Sequence, residues 1–91
     1  MKMTMTTHID GKKVFLRRLH SKLFEIITWE VLSEDKQIRI GIIRLMNDQY
    51  LTKTVGWQKF KVKYWMGSKF WKPQLFIGMT RNSVIKQMLA S

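Results

Sequence analysis

The stretch Lys59-Phe60-Lys61-Val62-Lys63-Tyr64-Trp65 alternates lysine with apolar or aromatic residues, and this period of two predicts a β-strand. Successive side chains of a strand point to opposite faces. Lys59, Lys61 and Lys63 should therefore project from one face, about 6.5–7 Å apart, and we call them the lysine row. The other face should point into the core, and it consists of Phe60, Val62 and Tyr64.

The spacing of the lysine row is close to that of successive phosphates along one nucleic-acid strand. Three ammonium groups in a row repel one another unless an anion lies between them, so the row suits a polyanion. The alternative is an edge strand whose lysines only prevent aggregation.

The charge of the whole chain agrees with a polyanionic partner. Lys and Arg number 17 against six Asp and Glu, a formal net charge of +11. Eight basic residues and no acidic residue follow Asp48. A field of one sign over half a chain disfavours the compact state unless a polyanion offsets it, and nucleic acid is the commonest polyanion. An anionic membrane would need a basic amphipathic helix, which the sequence lacks, so we expect no membrane contact.

Length and composition predict one domain, residues 1–91, with enough apolar residues for a core. Hydrophobic residues make up 45% of the chain and aromatic residues 12%. A domain this small has a thin stability margin, and a homodimer would add burial. There is no cysteine, no signal peptide at residues 1–9 and no apolar run of membrane-span length. We therefore expect an intracellular protein, cytoplasmic or nuclear.

Strand patterns dominate the chain, and the predicted turns are Asp10-Gly11, Ser33-Glu34-Asp35-Lys36, Asn47-Asp48, Gly56 and Gly67-Ser68. A short helix should follow, from Val84 to Ala90, capped by Asn82 or Ser83. The predicted fold class is α+β, mostly β, with six or seven antiparallel strands. The predicted strands cover residues 1–6, 14–19, 23–31, 38–44, 50–55, 59–66 and 74–80.

The two halves of the chain resemble each other over residues 12–46 and 49–83. Phe24 to Trp29 lies 36 residues before Phe60 to Trp65, and an Ile-Gly pair recurs at Gly41 and Gly78. A repeat at a fixed period would give two similar three-stranded units, forming a curved sheet or a small barrel. The alternative is that amphipathic strands resemble one another without duplication.

Aromatic residues are interleaved with the positive charge after residue 56. Binders of single strands combine lysines that follow the backbone with rings that stack on bases. Lys69-Phe70-Trp71-Lys72 should form a loop, and one of its two rings should be exposed. Core packing is the alternative role for each tryptophan; it is preferred for Trp29, is also considered for Trp65, and is left open for Trp57 and Trp71. The candidate binding residues beyond the lysine row are Trp57, Trp65, Lys69, Phe70, Trp71 and Lys72.

A second basic cluster comprises Lys12, Lys13 and Arg17, with Arg18 beside them. Arg17 and Arg18 point to opposite faces of a strand, so only one can share a face with the lysines. Lys12 and Lys13 flank the turn at Gly11, where simple hydration is the alternative to binding.

No catalytic constellation stands out in the sequence. His8 and His20 are isolated, and the six carboxylates are scattered without paired spacing. Neither a glycine-rich phosphate loop nor a spacing typical of metal ligands is present. We therefore expect no enzyme activity, no cofactor and no metal.

The C-terminal third resembles the PC4 family of transcriptional coactivators (p15), which bind single-stranded DNA. The resemblance rests on Tyr64-Trp65-Met66, Lys72-Pro73, Gly78-Met79-Thr80 and a helix with Leu89; residues 11–19 resemble that family's basic strand. Gln74-Leu75-Phe76 departs from the family pattern after the Lys-Pro pair, as does a final helix without an aromatic residue. The resemblance implies a curved antiparallel sheet, dimerisation through the helix and a role in transcription regulation. The binding residues that it implies are Lys59, Lys61, Lys63, Trp65 and Lys72.

The sequence thus predicts a sequence-tolerant nucleic-acid-binding protein that prefers single-stranded DNA or RNA. The alternative is a small viral-type regulator whose basic surface binds an acidic surface of a host or regulatory protein. A preference for structured RNA is a third option.

Overall fold

A computed structural model describes residues 4–19 and 27–91, with the side chains of residues 47–49 left out of the description. Its architecture is the predicted one: a mostly antiparallel β-sheet with one short C-terminal helix. In chain order the elements are β1 (Thr4–Ile9), β2 (Lys12–Leu19), β3 (Thr28–Leu32), β4 (Arg39–Val55), β5 (Gln58–Lys69), β6 (Lys72–Gly78) and α1 (Arg81–Ala90).

The six strands form one open sheet in the order β1-β2-β3-β4-β5-β6, each antiparallel to its neighbour. The predicted barrel is therefore wrong, because β1 and β6 remain as edges. Edge strands are exposed to unwanted pairing, and β6 begins with Lys72 and Pro73, two residues that protect an edge.

Two-residue turns connect three of the strand pairs. Asp10 and Gly11 have φ values of 49° and 83°, and both residues of a type I′ hairpin turn need positive φ. Gly56 has a φ of 63° at the first position of the β4–β5 turn. Phe70 and Trp71 join β5 to β6. The predicted turns at Asp10-Gly11 and at Gly56 are thus confirmed.

The predicted turns at Asn47-Asp48 and at Gly67-Ser68 are wrong, because β4 runs through the first and β5 through the second. The pairing of β4 with β5 shifts register between Met46 and Tyr50, so the extra residues form a bulge inside one continuous strand. Turn-forming residues within a long strand produce a bulge where both flanking segments pair with the same neighbour. The two halves of the proposed repeat therefore meet inside β4, and the predicted pair of separate three-stranded units stays a prediction.

The helix begins earlier than predicted. It starts at Arg81, and the N-cap is Thr80, whose hydroxyl accepts a hydrogen bond of 3.1 Å from the backbone N–H of Ser83. Ser83 thus supplies the donor, and the predicted caps Asn82 and Ser83 are wrong. The apolar face predicted for the helix is confirmed, because Val84 and Met88 are both buried.

The main core lies between α1 and one face of the sheet, which we call the helix face. Two glycines let the helix approach: a Cβ at Gly67 would lie 2.7 Å from Val84, and one at Gly41 would lie 2.6 Å from Met88. The predicted core position of Trp29 is confirmed. The buried cluster consists of Ile9, Val14, Leu16, Trp29, Val31, Ile43, Phe76, Val84, Ile85 and Met88.

In the described part of the chain, no helix covers the other face of the sheet, and we call it the open face. It buries one carboxylate: Glu30 on β3 is 1% exposed and pairs with Arg17 on β2 and Arg39 on β4. Nε of Arg39 donates to Oε2 of Glu30 at 2.9 Å. These ion pairs connect the neighbouring strands β2, β3 and β4.

Some predicted elements fall partly or wholly outside the described residues. The strand predicted over residues 23–31 is described only from residue 27, and the alternation predicted for residues 1–6 only from residue 4. His20 and the first aromatic residue of the proposed repeat, Phe24, also lie outside the described residues.

Candidate nucleic-acid interface

The β4–β5 hairpin extends beyond the rest of the sheet. The pairing of β3 with β4 reaches as far as Arg44, and that of β6 with β5 reaches as far as Trp65. Residues 50–63, which we call the arm, therefore form a ribbon with no third strand among the residues that the structure describes. A ribbon of two strands has both faces open to solvent.

The register of the arm decides which side chains share a face. Lys59, Lys61 and Lys63 lie opposite three residues of β4. Opposite residues of an antiparallel pair point to the same side, so one face carries the lysine row and these three partners. All six side chains are exposed. This lysine face consists of Tyr50, Thr52, Thr54, Lys59, Lys61 and Lys63.

The predicted alternation of β5 is confirmed, but the prediction that Phe60 and Val62 point into the core is wrong. Phe60 is 47% exposed and Val62 is partly exposed, whereas Tyr64, at the base of the arm, is buried. The reason is that α1 covers the face that continues the lysine row, through Trp65 and Gly67, and leaves the opposite face uncovered. We call that opposite face of the arm the apolar face; it consists of Leu51, Lys53, Val55, Gln58, Phe60 and Val62.

The lysine row carries uncompensated positive charge. The arm contains no acidic residue. The ion pairs found among the described residues lie elsewhere, at Glu30 and between Lys86 and Asp10. Among the described side chains, no carboxylate pairs with these three ammonium groups to lower their mutual repulsion, and an anion would do so.

Two of the candidate tryptophans bracket the lysine row. Trp57 stands in the turn at the tip of the arm and is 87% exposed. Trp65 follows Lys63 on the same side of β5, but it is partly buried and packs against the core cluster. Of the two, Trp57 has the ring face that an unstacked base could reach.

The candidates Lys69, Phe70, Trp71 and Lys72 lie at the other end of β5. The twelve residues of β5 separate Trp57 from Phe70, a distance of about 40 Å at roughly 3.3 Å per residue. Both rings of this turn are exposed, Trp71 at 60% and Phe70 at 48%, which is one exposed ring more than the sequence predicted. A two-residue turn gives its side chains no core to pack against. Each ring instead makes a cation–π contact: Lys69 lies over Trp71, and Arg39 lies over Phe70.

The second basic cluster is also separate from the arm. Lys12 and Lys13 are exposed beside the β1–β2 turn, where they line a cleft with Ser33 and Glu34. Arg17 lies on the open face, paired with Glu30, and Arg18 lies on the helix face near Trp29. The predicted binding residues thus fall into three groups, and of the predicted rings only Trp57 is both highly exposed and close to the lysine row along β5.

Sequence reasoning missed Tyr50. It lies directly opposite Lys63 and is 51% exposed. The signal was present: with a two-residue turn at Gly56-Trp57, residues pair outward from Val55 and Gln58, and that count reaches Tyr50 and Lys63. The predicted turn at Asn47-Asp48 made residues 50–55 a separate strand, and its pairing with residues 58–63 was not predicted.

Comparison with protein families, with curated proteins and with solved structures gives no match. The resemblance to the PC4 family therefore stays a prediction. Within residues 4–19 and 27–91, no three His, Asp or Glu side chains come together in a way that could hold a metal ion. In the same part of the chain, no helix has the length and apolar character needed to cross a membrane.

Proposed function

We propose that the protein binds nucleic acid without strong sequence preference, through the lysine face of the arm. The observation that carries the proposal is the exposure of Lys59, Lys61 and Lys63 on one side of a protruding ribbon that contains no acid. Lysines contact phosphates, which are the same in every nucleotide sequence. Such a surface therefore provides affinity but does not recognise the base sequence.

The surroundings of the row fit this role. Thr52 and Thr54 lie opposite Lys61 and Lys59, and their hydroxyls can donate hydrogen bonds to phosphate oxygens. The shape supports it as well, because a ribbon open on all sides lets a long polymer pass without meeting the body of the protein.

The proposal is tested by replacing the lysine row with glutamine and measuring oligonucleotide affinity against salt. The logarithm of the association constant should fall less steeply with the logarithm of salt concentration, by about 2 for three lost contacts to a single strand. At fixed moderate salt, affinity should drop by roughly 10–100-fold.

A charge-matched control locates the contact. Lys12→Gln, Lys13→Gln and Lys72→Gln together remove the same charge from exposed positions at the other end of the sheet. This variant should keep most of the affinity and most of the salt slope. Equal loss in both triple variants would place binding elsewhere, and no binding of the unmodified protein to any oligonucleotide at low salt would refute the proposal.

A second candidate function is binding to an acidic surface of a host or regulatory protein. The uncovered apolar face of the arm favours it, since Phe60 and Val55 are half-exposed and protein interfaces bury such side chains. Phe60→Thr separates the two candidates. It leaves the lysine face intact, so nucleic-acid affinity should stay within about twofold, whereas a protein contact through the apolar face should weaken about tenfold or more.

A further inference from the structure

We propose that the lysine face is a track for an unpaired nucleic-acid strand of about four nucleotides, with Tyr50 and Trp57 stacking on bases at its two ends. This inference rests on the proposed function and adds the class of substrate. It assigns a binding role to Tyr50 that the pattern of the sequence did not suggest.

The first support is the position of Tyr50. Side chains directly opposite in an antiparallel pair have Cβ atoms about 4.5–5.5 Å apart, so Tyr50 and Lys63 are neighbours on the lysine face. A strand whose phosphate is bound at Lys63 would bring its base within reach of the ring.

The second support is the order of groups along the arm. Trp57 lies six residues from Lys63, about 20 Å along the strand, with Lys61 and Lys59 between them. Between the rings, β4 presents only two threonines on this face, so a strand can lie flat there. Along the arm the order is Trp57, Lys59, Lys61 and then Lys63 with Tyr50 beside it on β4. This order matches a short extended strand with a stacking partner near each end.

The third support is the exposure of both rings. Tyr50 is 51% and Trp57 is 87% exposed, and neither takes part in the cation–π contacts found among the described residues. In a duplex the bases stack on one another and offer no face to a ring. The rings therefore add affinity for unpaired strands alone, while the lysines add affinity for both forms.

The test compares a 12-nucleotide homopyrimidine strand with a hairpin duplex of equal charge, using Tyr50→Ala and Trp57→Ala. Each variant should bind the single strand about 5-fold to 100-fold more weakly, with duplex affinity and the salt slope unchanged. Tyr50→Phe keeps the ring and should bind as the unmodified protein does. Leu51→Ala, on the opposite face of the same strand, is the matched control and should leave the ratio of the two affinities unchanged.

The inference fails if Tyr50→Ala leaves single-strand affinity intact, or if it lowers single-strand and duplex affinity equally. The proposed function fails separately. If the triple lysine variant loses binding while the tyrosine variant does not change the ratio, phosphate binding stands and the stacking track is refuted. Amide ¹H–¹⁵N NMR spectra of each variant establish that the fold is retained.

Discussion

At the scale of single residues, Glu30 shows how an acid is used in a chain with few of them. Its carboxylate is buried on the open face and takes hydrogen bonds from Arg17 and Arg39, whose side chains are 35% and 59% exposed. The burial is asymmetric: the cations reach water and the carboxylate does not. Losing the cations should therefore cost more than losing the acid.

We predict that replacing Arg17 and Arg39 together with methionine lowers the free energy of unfolding by about 3 kcal/mol, because a buried carboxylate is left uncompensated. Glu30→Gln should cost about 1 kcal/mol, since both guanidinium groups can rehydrate. Urea unfolding at neutral pH measures both. Equal losses in the two variants would contradict this account.

For individual residues, the sequence predicts the face of a strand on which a side chain lies but not its partner on the next strand. The alternation of lysine with apolar residues fixes which side chains share a face, because the period of a strand is a local property. The partner of each lysine is not local, since it depends on the register with another strand. For that reason Lys61 was predicted as a binding residue, whereas Tyr50 was found only in the structure.

At the scale of elements, the contact between α1 and the sheet depends on glycine. A Cβ at Gly41 would collide with the backbone carbonyl oxygen of Ser68 on β5 and would lie 2.6 Å from Met88. At Gly67 the nearest atoms belong to side chains, those of Val84, Ile43 and Met88. Side chains can rotate away, whereas a paired strand cannot move without breaking its hydrogen bonds.

We predict that Gly41→Ala destabilises the protein by about 3 kcal/mol and Gly67→Ala by about 1–2 kcal/mol, both through overpacking. Denaturant unfolding followed by tryptophan fluorescence measures the difference. Thr52→Ala, at an exposed strand position of the arm, is the control and should change stability by about 0.5 kcal/mol or less. A smaller loss at Gly41 than at Gly67 would show that the two strands separate more easily than their pairing implies.

Element boundaries were the least predictable part of the fold. The sequence pattern gave the β-rich class, the Asp10-Gly11 turn and the apolar face of the helix. It misplaced the helix cap and divided β4 at Asn47-Asp48, because turn propensity says nothing about whether both flanking segments pair with the same strand. That pairing is a tertiary property.

At the scale of the whole molecule, the body and the arm are separable parts. None of the residues of the buried core cluster belongs to the arm, residues 50–63. The arm carries four lysines and no acid, whereas the ion pairs of the buried Glu30 and the helix contacts lie in the body. The fold thus holds the candidate site away from the parts that stabilise it.

We predict that the arm can be shortened without unfolding the body. Replacing residues 52–61 with Asn-Gly would join Leu51 to Val62 through a two-residue turn. The free energy of unfolding should change by about 1 kcal/mol or less, while nucleic-acid affinity should fall to the level of the triple lysine variant. Thermal unfolding and an oligonucleotide titration measure the two effects. Retained binding by the shortened chain would place the site in the body.

The order of the strands has a consequence for synthesis on the ribosome. Each strand pairs with its predecessor, so hairpins can form as the chain emerges. The apolar side of those hairpins stays wet until Val84, Ile85 and Met88 arrive to cover it. Until residue 88 has been translated, the apolar surface that α1 buries in the folded protein is exposed to solvent. A nascent chain at that stage is the form that a chaperone would bind most strongly.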